Sequence, residues 1–285
     1  MEVKIPSIPK VQTMKLLEGS ADLIYPHTAI LVRLDTTICS GVFVKSFGYY
    51  GILTAGHCAK LIFEKERVAF AISEKVHQLW VMCKSLEHVP IAEVKEKGPD
   101  LSFILIKDVD LIRLIETHNH SFYDLDAQAK DVSTLEGPVI TLHWCICGCS
   151  SEKLEQKYAT INNEVHVLNT TPCAGMQGRL IKIKRIKKQQ DYDYVYLELL
   201  AGFEGYPTEY EGNSGSGIWY QRFDTSDDIN YTVKPILAGI VVWQEKKIKI
   251  DWKSKIKSRK ISGHYFHSIY YHVRKALKDK KEAKK

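Results

Sequence analysis

Three residues set far apart in the chain have the types needed to hydrolyse an acyl bond. His57 lies in "YGILTAGHCAK", Asp100 in "GPDLSFILI" and Ser214 in "GNSGSGIW". A serine hydroxyl is a weak nucleophile. It needs a base within hydrogen-bond reach, and that base needs a third group to fix its tautomer. His57, Asp100 and Ser214 supply base, orienting acid and nucleophile in one of the chain orders in which this constellation occurs. The glycines around Ser214 meet a second requirement. An oxyanion hole takes two backbone N–H groups aimed at one point. That calls for unusual dihedrals and no side chain in the way, and Gly212 and Gly215 flank Asn213-Ser214 accordingly. The N–H groups of Gly212 and Ser214 are the expected donors.

The elements that must position these residues are mostly strands. Short apolar runs rich in Val, Ile, Tyr and Trp recur between turn residues: "TAILVRL", "GVFVKS", "YGILTA", "LWVMC", "LSFILI", "GPVITLHWCICG", "YVYLEL", "GSGIWY" and "KPILAGIVVW". In this pattern a strand runs into a turn that carries His57, and Asp100 heads a buried strand. Helical periodicity is confined to "SIYYHVRKALKDKKEAKK", where Ile269, Val273 and Ala276–Leu277 share a face, and to a shorter stretch, Val109–His118. The polar segment "DLDAQAKDVSTLEG" separates two strand-rich halves. Many short strands and one terminal helix predict an all-β sandwich or barrel architecture.

Composition bounds the class. Among 285 residues, 45% are hydrophobic and 26% charged, as in an ordinary globular chain. No run approaches the ~18–20 apolar residues of a membrane span, so no membrane partner is expected. The N-terminus has charge but no apolar signal-peptide core. The seven cysteines are odd in number and unevenly spaced, unlike a disulfide framework. Both features predict a cytoplasmic protein with reduced thiols. A net charge of +6 permits acidic partners without demanding them.

With these motifs in hand, the chain resembles the trypsin-like, chymotrypsin-fold serine peptidases. "LTAGHC" is similar to their histidine motif, "GNSGSG" to their nucleophile motif and "DLSFI" to the aspartate before a strand. "ICSGVFV", "AGIVVWQ" and "SGHYFHSIYYHVRKAL" follow in the family's order, so the resemblance runs from Ile30 to Leu277. It implies two six-stranded antiparallel β-barrels with the site in the cleft between them and a C-terminal α-helix. Residues 1–24 would be an N-terminal extension. Residues 25–128 would form the barrel with His57 and Asp100, and 129–285 the barrel with Ser214, the helix and a basic tail. It implies hydrolysis of a protein or peptide substrate through an acyl-enzyme, with no metal or cofactor.

The chain departs from the secreted branch at Asn213, where zymogens carry an Asp that pairs with a freed N-terminal amine. It is closer to the bacterial branch, which is not activated that way. Control by a regulatory protein partner or by narrow specificity is therefore expected. The resemblance puts Thr208 at the floor of the primary pocket, Val242, Trp243 and Gln244 on one wall and Gly263 on another. With no Asp at the floor, two preferences stay open: a basic residue drawn by Glu209 and Glu211, and a small or apolar one. Cys39 and Cys58 fall where the secreted family often has a disulfide, and a reducing compartment predicts free thiols.

Other signals weigh less. His118, His120, His143 and His264 are rival histidines without a comparable motif, and Asp108 and Asp110 read as solvated loop residues. In "HWCICGC", His143, Cys145, Cys147 and Cys149 alternate on one strand face. At ~3.3 Å per residue their ends lie ~20 Å apart, too far for one zinc with ligands at ~2.0–2.3 Å. A buried strand is the better reading. The lysines of Arg179–Lys188 and of Lys246–Lys260 read as solvated hairpins, or as a basic rim suited to an acidic partner. Two other function classes remain beside the peptidase. One is a non-catalytic trypsin-like scaffold or partner-binding module. The other is an esterase-like hydrolase with the same acyl chemistry.

Overall fold

The computed structural model describes residues 22–32, 38–64, 67–71, 79–92, 99–133, 142–150, 155–161, 164–170, 174–186, 192–201, 209–224, 232–245, 249–250 and 257–283. Two sheets dominate. The first contains β1 (Thr28–Val32), β2 (Ile38–Ser46), β3 (Tyr49–Thr54), β4 (Arg67–Ala71), β5 (Leu79–Met82), β6 (Leu86–Ala92), β7 (Leu101–Ile106) and the short β8 (Tyr123–Asp124). Its order is β5-β4-β1-β2-β3-β7-β6, antiparallel throughout, with β8 added parallel to β2. The hairpin β10 (Glu155–Ile161) and β11 (Glu164–Thr170) stands as a sheet of its own.

The second sheet contains β9 (Leu142–Gly148), β12 (Ala174–Ile186), β13 (Tyr192–Leu200), β14 (Gly217–Asp224), β15 (Thr232–Gln244), β16 (Lys249–Ile250) and β17 (Lys257–His264). Its order is β13-β12-β9-β14-β15-β17-β16, all antiparallel. β13 also pairs with β17, from Tyr194 opposite His264 to Leu200 opposite Ser258. The sheets hold eight and seven strands rather than six each.

Four longer helices lie among the described residues: α1 (Gly56–Phe63), α2 (Val109–Thr117), α3 (Leu125–Ser133) and α4 (Arg274–Glu282). Where the sequence read as a turn after β3, α1 begins at once. It buries Gly56, Cys58, Ala59 and Ile62, and eight residues are too few for that face to register as a period. α2 lies where its periodicity put it. Asp108 is its N-cap, accepting from the N–H groups of Asp110 and Leu111, so this aspartate satisfies orphan helix donors. Residues 125–133 of the polar segment between the halves are helical as α3, with Asp124 capping it and Leu125 buried. A π-helical turn, Ser268–Val273, leads into α4. Ile269, Val273 and Leu277 are buried along one face, as their four-residue spacing predicts.

Three apolar clusters hold this together. One fills the first half, with Phe43, Ile52, Phe70 and Ile104 packed against α1 and α2 residues. A second fills the other half, with Trp144, Ile146, Leu197, Ile218 and Ile236. The third joins the two sheets and takes in Val42, Leu53, Phe103, Cys145, Cys147, Trp219 and the buried face of the C-terminal helix. β9 shows how. Its Trp144 and Ile146 face the second cluster, while Cys145 and Cys147 face the third, as two-residue alternation requires. The helix is tied back to the first half by Arg274 Nε to Asp126 Oδ1 at 2.9 Å and by an ion pair between Lys280 and Glu87.

Candidate active site

His57 is the second residue of α1, and Asp100 immediately precedes β7. β3 and β7 are antiparallel hydrogen-bonded neighbours, so the chain leaves β3 and enters β7 at the same end of the sheet. Asp100 engages His57 twice. Oδ1 accepts the His57 backbone N–H at 2.8 Å, and Oδ2 lies 2.5 Å from Nδ1. The first contact caps α1, because the opening N–H groups of a helix have no internal acceptor. The second fixes the ring with Nδ1 protonated and Nε2 as the basic nitrogen. Gly56 allows both, since a Cβ there would stand 2.6 Å from Asp100 Oδ1. Asp100 is 1% exposed and the His57 side chain 38%. The acid is sealed from water while the base reaches it. Burial pulls the His57 pKa down, but the hydrogen bond and charge of Asp100 outweigh it and hold it above the ordinary value.

Ser214 arrives from the other sheet, on the turn before β14. Gly212 and Gly215 have φ of +89° and +87°, the left-handed region that favours glycine. Within residues 212–220 Ser214 alone is partly exposed. The N–H groups of Asn213, Gly215 and Ser216 are donated to Tyr210, Val241 and Asn213 carbonyls. Those of Gly212 and Ser214 have no acceptor among the described residues, so the two expected oxyanion donors are open.

Residues of the first sheet hold this turn. On β2, the Ser40 N–H donates to Ser214 O at 3.0 Å and its Oγ donates to Gly212 O at 3.0 Å. The Cys149 N–H donates to the same Oγ, and Thr54 Oγ1 donates to Ser40 O at 2.7 Å. A Cβ at Gly215 would stand 2.0 Å from Ser40 O. The Cys58 thiol, next to His57, donates to Ser214 O at 3.5 Å. The structure thus brings His57, Asp100, Gly212 and Ser214 to one place. Among the described residues no hydrogen bond joins Ser214 Oγ to His57, a contact that often tightens only in the substrate complex.

Comparison with known proteins is nearly silent. No protein-family model matches the chain, and no curated protein does. One similar solved structure is described by the words "Aromatic interactions drive the coupled folding and binding of the intrinsically disordered Sesbania mosaic virus VPg protein". It is 11% identical, with a TM-score of 0.39, over 87% of this chain and 90% of that one. A likeness at that score bears on neither fold nor function here.

Of the expected pocket residues, Thr208 lies outside the described residues. Val242 is buried on β15, and Trp243 and Gln244 are half-buried beside it. Trp243 stacks on Tyr194, and Gln244 Oε1 accepts from the Tyr210 N–H. Gly263 lies opposite Val241 on β17. The space of its missing side chain is taken by Ile240 O and Ile218. Glu209 is ion-paired with the buried Arg259 at 2.9 Å. Asn213 is buried, with Oδ1 accepting from Ser216 Oγ at 3.3 Å. A carboxylate there would require a buried cation, and the neutral amide does not. Cys39 and Cys58 are free thiols hydrogen-bonded to each other. Lys187, Lys188 and residues 246–248 and 251–256 of the basic stretches lie outside the described residues. No helix among the described residues is long and apolar enough to cross a membrane.

Two positioning groups escaped the sequence reading. Ser40 sits in "ICSGVFV", which reads only as a strand in the family's order. His264 looked like one histidine among several, yet its Nε2 accepts the Asp100 backbone N–H at 3.0 Å. Proximity across the two sheets is the only signal for either.

Proposed function

We propose that this protein is a serine endopeptidase of trypsin-like architecture, its two sheets serving as the two barrels with the catalytic groups in the cleft between them. Ser214 attacks the scissile carbonyl. His57 takes the hydroxyl proton on Nε2 and returns it to the leaving amine. Asp100 holds the tautomer and stabilises the imidazolium. The N–H groups of Gly212 and Ser214 receive the oxyanion. Water then attacks the acyl-enzyme by the same route in reverse. No metal or cofactor enters this chemistry.

The observation that carries the reading is the paired contact of Asp100 with His57, set against a serine turn shaped by two left-handed glycines, with two open N–H donors among the described residues. A buried carboxylate that fixes one histidine tautomer and leaves the ring's other nitrogen to solvent is costly for a scaffold to keep. The return of the second sheet's pairing to β13 through β17 suits a barrel. Trp243 and Gln244, half-buried on β15 beside the serine turn, suit a surface for substrate backbone. A substrate of narrow class, or a protein partner that completes the site, would restrain activity in a cytoplasm.

Cleavage-site mapping across a proteome after induction of the protein tests this, with Ser214→Ala in parallel. The reading predicts new termini that vanish in the variant, with flanking residues that define the pocket. Termini equally abundant in both would refute it.

A further inference from the structure

A chain of buried polar groups runs from the C-terminal segment of the second half to the acid of the first. Asp193, at the start of β13, is 6% exposed, and its carboxylate accepts from the N–H groups of His267 and Ser268 and from Ser268 Oγ at 2.6 Å. Ser268 Oγ lies 3.3 Å from His264 Nδ1, and His264 Nε2 lies 3.0 Å from the Asp100 N–H. A backbone N–H can only donate, so Nε2 is the acceptor and the ring proton sits on Nδ1, facing Ser268. His264 is fully buried, and burial drives its pKa down to about 3, so the ring stays neutral. Tyr192 and Tyr194 flank it, with ring centroids at 5.4 Å and 4.9 Å.

We infer that His264 is a positioning residue for the site. Anchored by Ser268 and Asp193, it fixes the Asp100 backbone from the opposite sheet, so that both carboxylate oxygens meet His57. This rests on the peptidase reading for its effect on rate, though not for its effect on His57. The geometry argues against simple core filling. An apolar residue would pack between two tyrosines at least as well, and would leave the buried Asp100 N–H without an acceptor. Asp100 has its two carboxylate contacts on the His57 side and this one backbone contact on the other. A shift of Asp100 therefore becomes a shift of the His57 ring. Misplacement of about 1 Å in such a group costs on the order of a hundredfold in rate.

The test uses the full chain with His264→Leu, His264→Gln and Ser268→Ala, each checked for folding by circular dichroism. Glutamine keeps an acceptor, leucine removes it, and Ser268→Ala removes the anchor at Nδ1 while leaving the Nε2 acceptor in place. Two readouts are taken: the His57 titration by NMR, and p-nitrophenyl acetate hydrolysis resolved into kcat and KM.

The inference predicts that leucine lowers the His57 titration midpoint and cuts kcat about tenfold to a hundredfold with KM unchanged. Glutamine restores most of both, and Ser268→Ala falls between. If leucine does not fold, the contrast between the glutamine and Ser268→Ala variants decides. Folded variants with a wild-type His57 titration overturn the inference, whatever the hydrolysis shows. A wild type that hydrolyses nothing at Ser214, while His57 still responds to the variants, sinks the peptidase reading and leaves the positioning role standing.

Discussion

The two halves grip each other's candidate site residues by different means. From the first sheet, Ser40 reaches the Ser214 turn through two neutral hydrogen bonds, to the Ser214 and Gly212 carbonyls. From the second, His264 reaches Asp100 through a buried relay of side chains ending on a carboxylate. The difference follows what each must hold. The serine turn is set by two left-handed glycines and needs its carbonyls pinned so that its N–H groups point outward. The acid must keep a charge within 2.5 Å of a ring while sealed from water, which calls for a partner that neither competes for the carboxylate nor carries charge itself. A neutral histidine accepting from the backbone meets that need.

The comparison is broken most severely at the acid. Asp100→Asn would turn an N–H toward His57 Nδ1, force the proton onto Nε2 and remove the base. Ester hydrolysis should drop by about 10⁴-fold with little change in thermal stability, and an unchanged rate would remove Asp100 from the account. At the serine turn the damage should fall first on folding. Gly215→Ala combines a left-handed φ with a Cβ 2.0 Å from Ser40 O. Thermal unfolding should show a loss of roughly 2–5 kcal/mol from strain and overpacking together.

Smaller changes sharpen the contrast. Ser40→Ala removes the Oγ that donates to Gly212 O and accepts from the Cys149 N–H, but keeps the backbone donation to Ser214 O. It should cost about 1–3 kcal/mol and slow hydrolysis, while the His57 titration stays at its wild-type position. The mildest probe is pH. His57 must be neutral to act, and its pKa is held above 6.5 by Asp100. The kcat/KM profile should therefore fall on acidification, with a midpoint above that value. In Asp100→Asn the residual activity should lose its midpoint or move it downward.

Much of this was legible in the sequence because it is local. "TAGHC" and "GNSGSG" carry their chemistry in adjacent residues, and the strands announce themselves as β-branched runs between turns. The glycines of the second motif were readable as conformational needs, and Gly212 and Gly215 have the positive φ expected. What was not legible depends on contacts between distant segments. Ser40 and Ser214 are 174 positions apart, and His264 is 164 from Asp100. The α1 helix was missed because eight residues are too few to register as a period, and α3 because its sequence is mostly polar. Asp108 and Asp124 gave no periodic signal, since a capping residue acts on its neighbours' N–H groups rather than on a face.

The central claim is that Ser214 is a nucleophile activated by His57. Its most direct test is labelling of the full protein with a fluorophosphonate, read by intact mass and peptide mapping, for wild type and His57→Ala. The account predicts one adduct at Ser214, formed rapidly by the wild type and slowed by several orders of magnitude in the variant. No adduct on the folded wild type, or one at Ser214 formed as fast without His57, would contradict it.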